Sequence, residues 1–168
     1  MIIVSDTSPI TNLAAINQLD LLRQLYGRIV IPQAVYNEMA FVGKIVPGTI
    51  EVKTLNWIET QPVTDSARVI FFQNNQDGID LGEAEAIVLA QELNADLLLM
   101  DERRGRAVAL SQELNVVGLL GVLLQAKQRG FIPEIKSLMD QLIYDADFRV
   151  SPRLYQTVLK AANEADHV

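Results

Sequence analysis

The sequence predicts an α/β fold with a mainly parallel sheet and helices on both of its faces. Short apolar runs alternate with longer helical stretches, the pattern of strand–helix–strand units. Helix starts are marked at intervals by cap-plus-proline pairs and by a capping-box spacing. Hydrophobic residues make up 49% of the 168 positions and aromatics only 6%, so the core is aliphatic and the length suits one domain with a small terminal extension. Right-handed crossovers between parallel strands then place helices on both sides of the sheet.

The elements follow in order. Ile2–Ser5 is an opening strand. Ser8-Pro9 reads as an N-cap followed by a first-turn proline, and helical segments fill Pro9–Ala15 and Leu19–Leu25. Arg28–Ile31 is a second strand, and Pro32 opens a helix through Ala40. Phe41–Thr54, with Gly43, Pro47 and Gly48, reads as a loop or lid; Val52–Glu59 is a further strand candidate. Ser66–Gln73 is weakly helical and Asn74–Gly78 is a polar turn. Asp80 and Glu83 have capping-box spacing at the head of a helix over Leu81–Leu93. Leu97–Met100 is a strand, Arg103–Glu113 a helix and Asn115–Val117 a strand. Gly118–Arg129 is a helix stopped by Gly130, and Pro133–Tyr144 is another. Ser151-Pro152 repeats the cap-plus-proline start for a last helix over Pro152–Glu164.

Composition excludes several chemistries. The chain has no Cys and a single His, His167, at its penultimate position, which disfavours zinc sites, cysteine nucleophiles and a Ser-His-Asp triad. Hard cations with oxygen ligands remain. The absence of Cys fits a cytoplasmic location. MIIVSDTSP lacks a basic leader and reads as a strand rather than a signal peptide, and no apolar run approaches a membrane span. The net charge of −7 argues against a broadly basic nucleic-acid surface, although Arg103, Arg104 and Arg106 cluster after Asp101.

Four acids stand out. Asp6 and Asp101 each follow a predicted strand, and ligands of open parallel sheets bind beyond the carboxyl ends of the strands. Glu83 heads a helix rich in small residues, Gly82, Ala84 and Ala86, which let a ligand or backbone approach. Its competing role is capping with Asp80, and the two roles are compatible. Glu38 borders the apolar face marked by Val35 and Met39; periodicity alone makes it a solvated helix residue. Glu85 and Glu102 have the same ordinary surface reading. Two carboxylates about 4 Å apart repel by on the order of 4 kcal/mol at a near-surface dielectric. Gathered together, four would need protonation, Arg neighbours or a cation; a divalent metal resolves the conflict and would also acidify a water for phosphodiester hydrolysis.

Taken in order, these motifs resemble the PIN-domain family. The matching residues are Asp6-Thr7-Ser8 after the first strand, Glu38 after Ile31-Pro32 and Val35, Glu83 before Ala84-Glu85-Ala86-Ile87, and Asp101 eighteen residues after Glu83. That spacing favours Glu83 over Asp80 and Glu85 as the third acid. The strings GEAEAIVLAQELNADLLLMDERRGR and FRVSPRLY are similar to a bacterial branch of the family. Many members carry Asp in place of Glu83 and a T.D..F pattern where this chain has Met100-Asp101-Glu102-Arg103-Arg104.

The resemblance implies a three-layer α/β/α sandwich. Residues 1–130 would form the PIN-like nuclease domain, and 131–168 a helical extension packed on it. It implies an Mg²⁺- or Mn²⁺-dependent endoribonuclease with Asp6, Glu38, Glu83 and Asp101 as metal ligands. On their own chemistry Ser8 and Arg104 are candidate phosphate contacts, neutralisation of the acidic cluster being the other role open to an Arg here. Many bacterial members are VapC-type toxins, so an RNA substrate, a small antitoxin partner and a homodimer are expected. The alternative is a catalytically degenerate PIN fold that binds nucleic acid or protein. A haloacid-dehalogenase-like phosphatase also places Asp after its first strand, but it needs a second Asp two residues on, where this chain has Ser8.

Overall fold

The computed structural model describes residues 1–41, 43, 45–75 and 78–165. Its centre is a five-stranded, wholly parallel sheet of β1 (Ile3–Ser5), β2 (Ile29–Pro32), β3 (Ile58–Gln61), β4 (Leu97–Leu99) and β5 (Val116–Val117), in the order β3-β2-β1-β4-β5. The chain steps outward from β1 to β3, then crosses back to lay β4 on the other side of β1. The topological switch therefore lies between β1 and β4, where Val4 stands opposite both Val30 and Leu98.

Strand alternation divides the aliphatic residues between two cores. Ile3, Ile29, Ile31 and Leu99 face one layer, built from α1 (Thr7–Ala15), α2 (Asp20–Tyr26), α8 (Leu119–Gln128), α9 (Lys136–Asp145) and α10 (Pro152–Ala161). Val35 and Met39 of α3 (Gln33–Ala40) and Val52 of α4 (Thr49–Thr54) close its edge. Val4, Val30, Leu98 and Met100 face the opposite layer of α5 (Ser66–Asn75), α6 (Leu81–Glu92) and α7 (Arg103–Ser111). The result is a three-layer α/β/α sandwich, as expected. α6 is buried almost all round, through Ala84, Ala86, Ile87, Val88, Leu89 and Ala90, so it is the central helix of its layer.

Several boundaries differ from the sequence expectation. The first helix begins at Thr7, with Asp6 rather than Ser8 at the N-cap position, and Pro9 is its third residue. Pro9 is tolerated because first-turn N–H groups have no intrahelical acceptor. The loop expected over Phe41–Thr54 contains α4: Gly48 adopts φ 94° and admits a turn, and the Thr49 hydroxyl ties it to the Met39 carbonyl at 2.8 Å. Val52 therefore belongs to a helix, and the strand starts at Ile58. α5 runs on to Asn75; the rest of the expected turn includes Gln76 and Asp77, outside the described residues, as are Val42, Lys44 and His167.

The late helices are held by caps. Gly130, at φ 77°, ends α8: its N–H bonds the Lys127 carbonyl, and the Phe131 N–H bonds that of Ala126. α9 starts at Lys136, three residues after Pro133, because its cap comes from afar: the Glu164 carboxylate accepts from the N–H groups of Ile135 and Lys136 at 2.8 and 3.0 Å. α10 starts as expected, with the Ser151 hydroxyl accepting from the Leu154 N–H.

Candidate active site

The four acids line one cleft of about 520 Å³ at the switch point. Asp6 leaves the end of β1, and its own N–H bonds the Leu99 carbonyl of β4, which locks the two strand ends together. Asp101 leaves the end of β4. Glu38 enters from α3, Glu83 from the first turn of α6. Thr7, Ser8, Thr11 and Asn12 of α1 form another wall, and Asp147, Phe148 and Arg149 reach in from the α9–α10 connection.

Asp6 is only 6% exposed. It occupies the N-cap position yet makes no capping bond, so its carboxylate is available to the cleft. Burial pushes its pKa up to about 7; the Thr7 N–H opposes the shift, and Glu83, Asp80 and Glu38 add to it. Glu83, also 6% exposed, is raised to about 7 by burial and then by Asp80. Both halves of its capping box with Asp80 form: the Glu83 N–H donates to Asp80 Oδ1 at 2.8 Å, and the Asp80 N–H to Glu83 Oε2 at 3.3 Å. Capping and cleft-lining thus coincide in one residue, and Asp80 lines the cleft as well.

Glu38 accepts a 2.5 Å hydrogen bond from the Thr7 hydroxyl. Its pKa is raised, first by burial, with that hydroxyl opposing and Asp80 and Glu85 adding. Asp101 is raised by burial against the pull of the Leu119 N–H at 2.7 Å, the Ser8 hydroxyl at 3.3 Å and the Arg106 charge. The Ser8 hydroxyl in turn accepts from Asn12 Nδ2 at 2.9 Å.

Sequence reasoning assigned phosphate contact to Arg104, but this side chain lies over Gly78, outside the cleft lining. Arg149 occupies the cleft instead. No local signal pointed to it beyond its place in the FRVSPRLY string. Glu85 has a different task from Glu83: its Oε1 accepts from the Ala34 N–H at 3.0 Å and so caps α3 from α6.

The donor set suits a hard divalent cation: carboxylate and hydroxyl oxygens, with no sulfur or imidazole. A buried Asp6 beside three other acids is the arrangement that a cation relieves. Among the described residues no three acidic side chains converge closely enough to enclose an ion as they stand. Thr7 draws Glu38 to one side, the Asp80 N–H draws Glu83, and Ser8 and Leu119 draw Asp101. Among the described residues, the ion pairs all lie elsewhere: Arg23–Asp20, Arg28–Glu59, Lys127–Glu164 and Lys136–Asp140.

The family match agrees with this site. A family model described as PIN domain matches residues 2–164. The protein belongs to the PIN-domain family, and its sandwich is a nuclease-type fold. Among solved structures it is similar to a PilT N-terminus domain protein from the hyperthermophilic archaeon Sulfolobus solfataricus, with TM-score 0.56 and 16% identity over 75% of this chain and 93% of that one. At that identity the likeness concerns the fold. Comparison with curated proteins gave no match.

Proposed function

We propose that the protein is a metal-dependent endoribonuclease in which Asp6, Glu38, Glu83 and Asp101 hold Mg²⁺ or Mn²⁺. The observation that carries this reading is the arrival of four carboxylates, from four separate elements, in one cleft at the switch point of a PIN-domain sheet. When bound, the cation would lower the pKa of a water and stabilise charge on the phosphodiester.

The chain's own residues set the rest. Burial raises the pKa values of Asp6 and Glu83 to about 7, and both would have to be deprotonated to hold a cation, so metal binding would be coupled to pH. Ser8, steadied by Asn12, orients the Asp101 carboxylate and presents its hydroxyl to the cleft. Thr7 keeps Glu38 on the cleft wall until it is drawn inward.

For the cellular role we propose the toxin of a toxin–antitoxin pair, with a small antitoxin, a homodimer and a cytoplasmic setting. Among the described residues no helix is long and apolar enough to cross a membrane. A second reading, a non-catalytic binding module, is favoured by the internal hydrogen bonds that hold Glu38, Glu83 and Asp101 apart. Thermal stability measured during Mg²⁺ and Mn²⁺ titration, together with RNA cleavage, separates the two. Metal-induced stabilisation with cleavage supports the enzyme; no response to either metal supports the module.

A further inference from the structure

A second cavity, about 560 Å³, adjoins the acidic cleft and shares Asp101, Phe148 and Arg149 with it. Its inner wall is the edge strand β5 and the start of α8: Val116, Val117, Gly118 and Leu119, with Leu120 beside them. Two glycines on this wall leave room for neighbouring side chains. A Cβ on Gly118 would stand 2.6 Å from Arg106 Nη1, and one on Gly121 would stand 2.9 Å from Val117 Cγ1. The polar groups facing it are few: the Arg106 and Arg149 guanidiniums, the Asp101 carboxylate and the Gln125 amide, whose oxygen already accepts from the Tyr26 hydroxyl at 2.6 Å.

The ridge between cavity and cleft is built, not frayed. Asp147, at φ 54°, turns the chain out of α9, and the Phe148 N–H bonds back to the Leu142 carbonyl at 2.9 Å. Phe148 packs partly into the aliphatic core, which fixes its ring. Arg149 is exposed beside it. Among the described residues lining the acidic cleft, Arg149 carries the one positive charge.

We propose that this cavity binds one nucleotide of a single-stranded RNA, the base lying against Phe148 and the Val117–Leu120 wall and its phosphate paired with Arg149. The chemistry fits: a cavity walled by Val117, Leu119, Leu120 and Leu154 with a phenylalanine beside them takes a base, and an exposed guanidinium in the same lining takes a phosphate. The shared ridge would make that nucleotide adjacent to the phosphate in the acidic cleft. In that adjacency alone the proposal rests on the ribonuclease reading; nucleotide binding in the cavity does not.

The test uses the four ribonucleoside 5′-monophosphates and a single-stranded oligoribonucleotide as probes, followed by amide chemical shifts of the full chain. The expected result is that monophosphates shift Val117, Leu120 and Phe148, and that the oligonucleotide binds the same place more tightly. Arg149→Gln should weaken the monophosphates about tenfold. Leu120→Trp, which fills the slot, should abolish the shifts, and Leu120→Met should retain them. Shifts that are absent, that map elsewhere, or that persist in Leu120→Trp overturn the proposal. A monophosphate that binds as tightly as the oligonucleotide overturns RNA as the source of the nucleotide. Metal-dependent cleavage without binding here leaves the nuclease standing and the cavity empty of role; binding here without cleavage does the reverse.

Discussion

Gly82 and Glu38 meet across the contact between α6 and α3, so closely that a Cβ on Gly82 would stand 2.6 Å from Glu38 Oε1. The absent side chain makes room for the carboxylate. Glu38 reaches the cleft because α6 carries glycine at that point and because Thr7 holds its other oxygen.

Gly82→Ala should therefore separate function from stability. The clash falls on the flexible end of Glu38, which can swing aside, and alanine is the better helix former by up to about 1 kcal/mol. The melting temperature should hold or rise. Metal-dependent cleavage should fall about tenfold or more, because a displaced ligand spoils the geometry of the site. Denaturation curves and a cleavage assay on the same preparation check both halves.

Asp6→Asn should raise stability at alkaline pH in the presence of a chelator. The native pKa of Asp6 is about 7 against an ordinary value of 3.8, and Glu83 moves from 4.5 to about 7. Between those values the folded chain binds more protons than the unfolded one, so stability is greatest at the acid side and is lost as pH rises through about 7. Asp20, Glu92, Asp140 and Glu164 have lowered values and act in the opposite sense, below the ordinary carboxylate range. Without divalent metal, the wild-type melting temperature should fall from pH 5 to pH 8. The fall should shrink in Asp6→Asn and on adding Mn²⁺ to the wild type. Scanning calorimetry at the two pH values checks it; for this chain length about 1 kcal/mol moves the midpoint by 2–4 °C.

Glu85→Ala should do the reverse of Gly82→Ala. Its carboxylate caps α3 through the Ala34 N–H, and loss of such a cap costs about 1 kcal/mol. Stability should drop by that amount while metal-dependent cleavage stays within about threefold of wild type, since Glu85 does not line the cleft. Urea denaturation and the cleavage assay provide the numbers. A loss of cleavage as deep as that of Asp6→Asn would place Glu85 among the ligands.

The parts of this site that were legible in sequence are those set by strand periodicity. Asp6 and Asp101 follow short aliphatic strands, and the switch-point rule for parallel sheets then pairs them. Glu83 was legible as a cap from its distance to Asp80. Glu38 was not, because one exposed-looking glutamate on an amphipathic helix has no local signature; the gap it fills at Gly82 is a tertiary fact. α4 was missed because TIEVKT is short and rich in β-branched residues, so its helix depends on Gly48 and on the Thr49–Met39 bond. The start of α9 depends on Glu164, twenty-eight residues ahead of Lys136. The presence of Arg149 on the cleft wall was illegible for a similar reason: its position is set by the turn at Asp147, far from the acids in sequence.

Metal-titrated cleavage of a labelled single-stranded RNA, with wild type, Asp6→Asn and Asp101→Asn purified side by side, is the decisive measurement for the ribonuclease reading. Cleavage by the wild type should rise with Mg²⁺ or Mn²⁺ and disappear in chelator. Each variant should lose on the order of a hundredfold or more. Equal cleavage by all three, or cleavage indifferent to chelator, would contradict it.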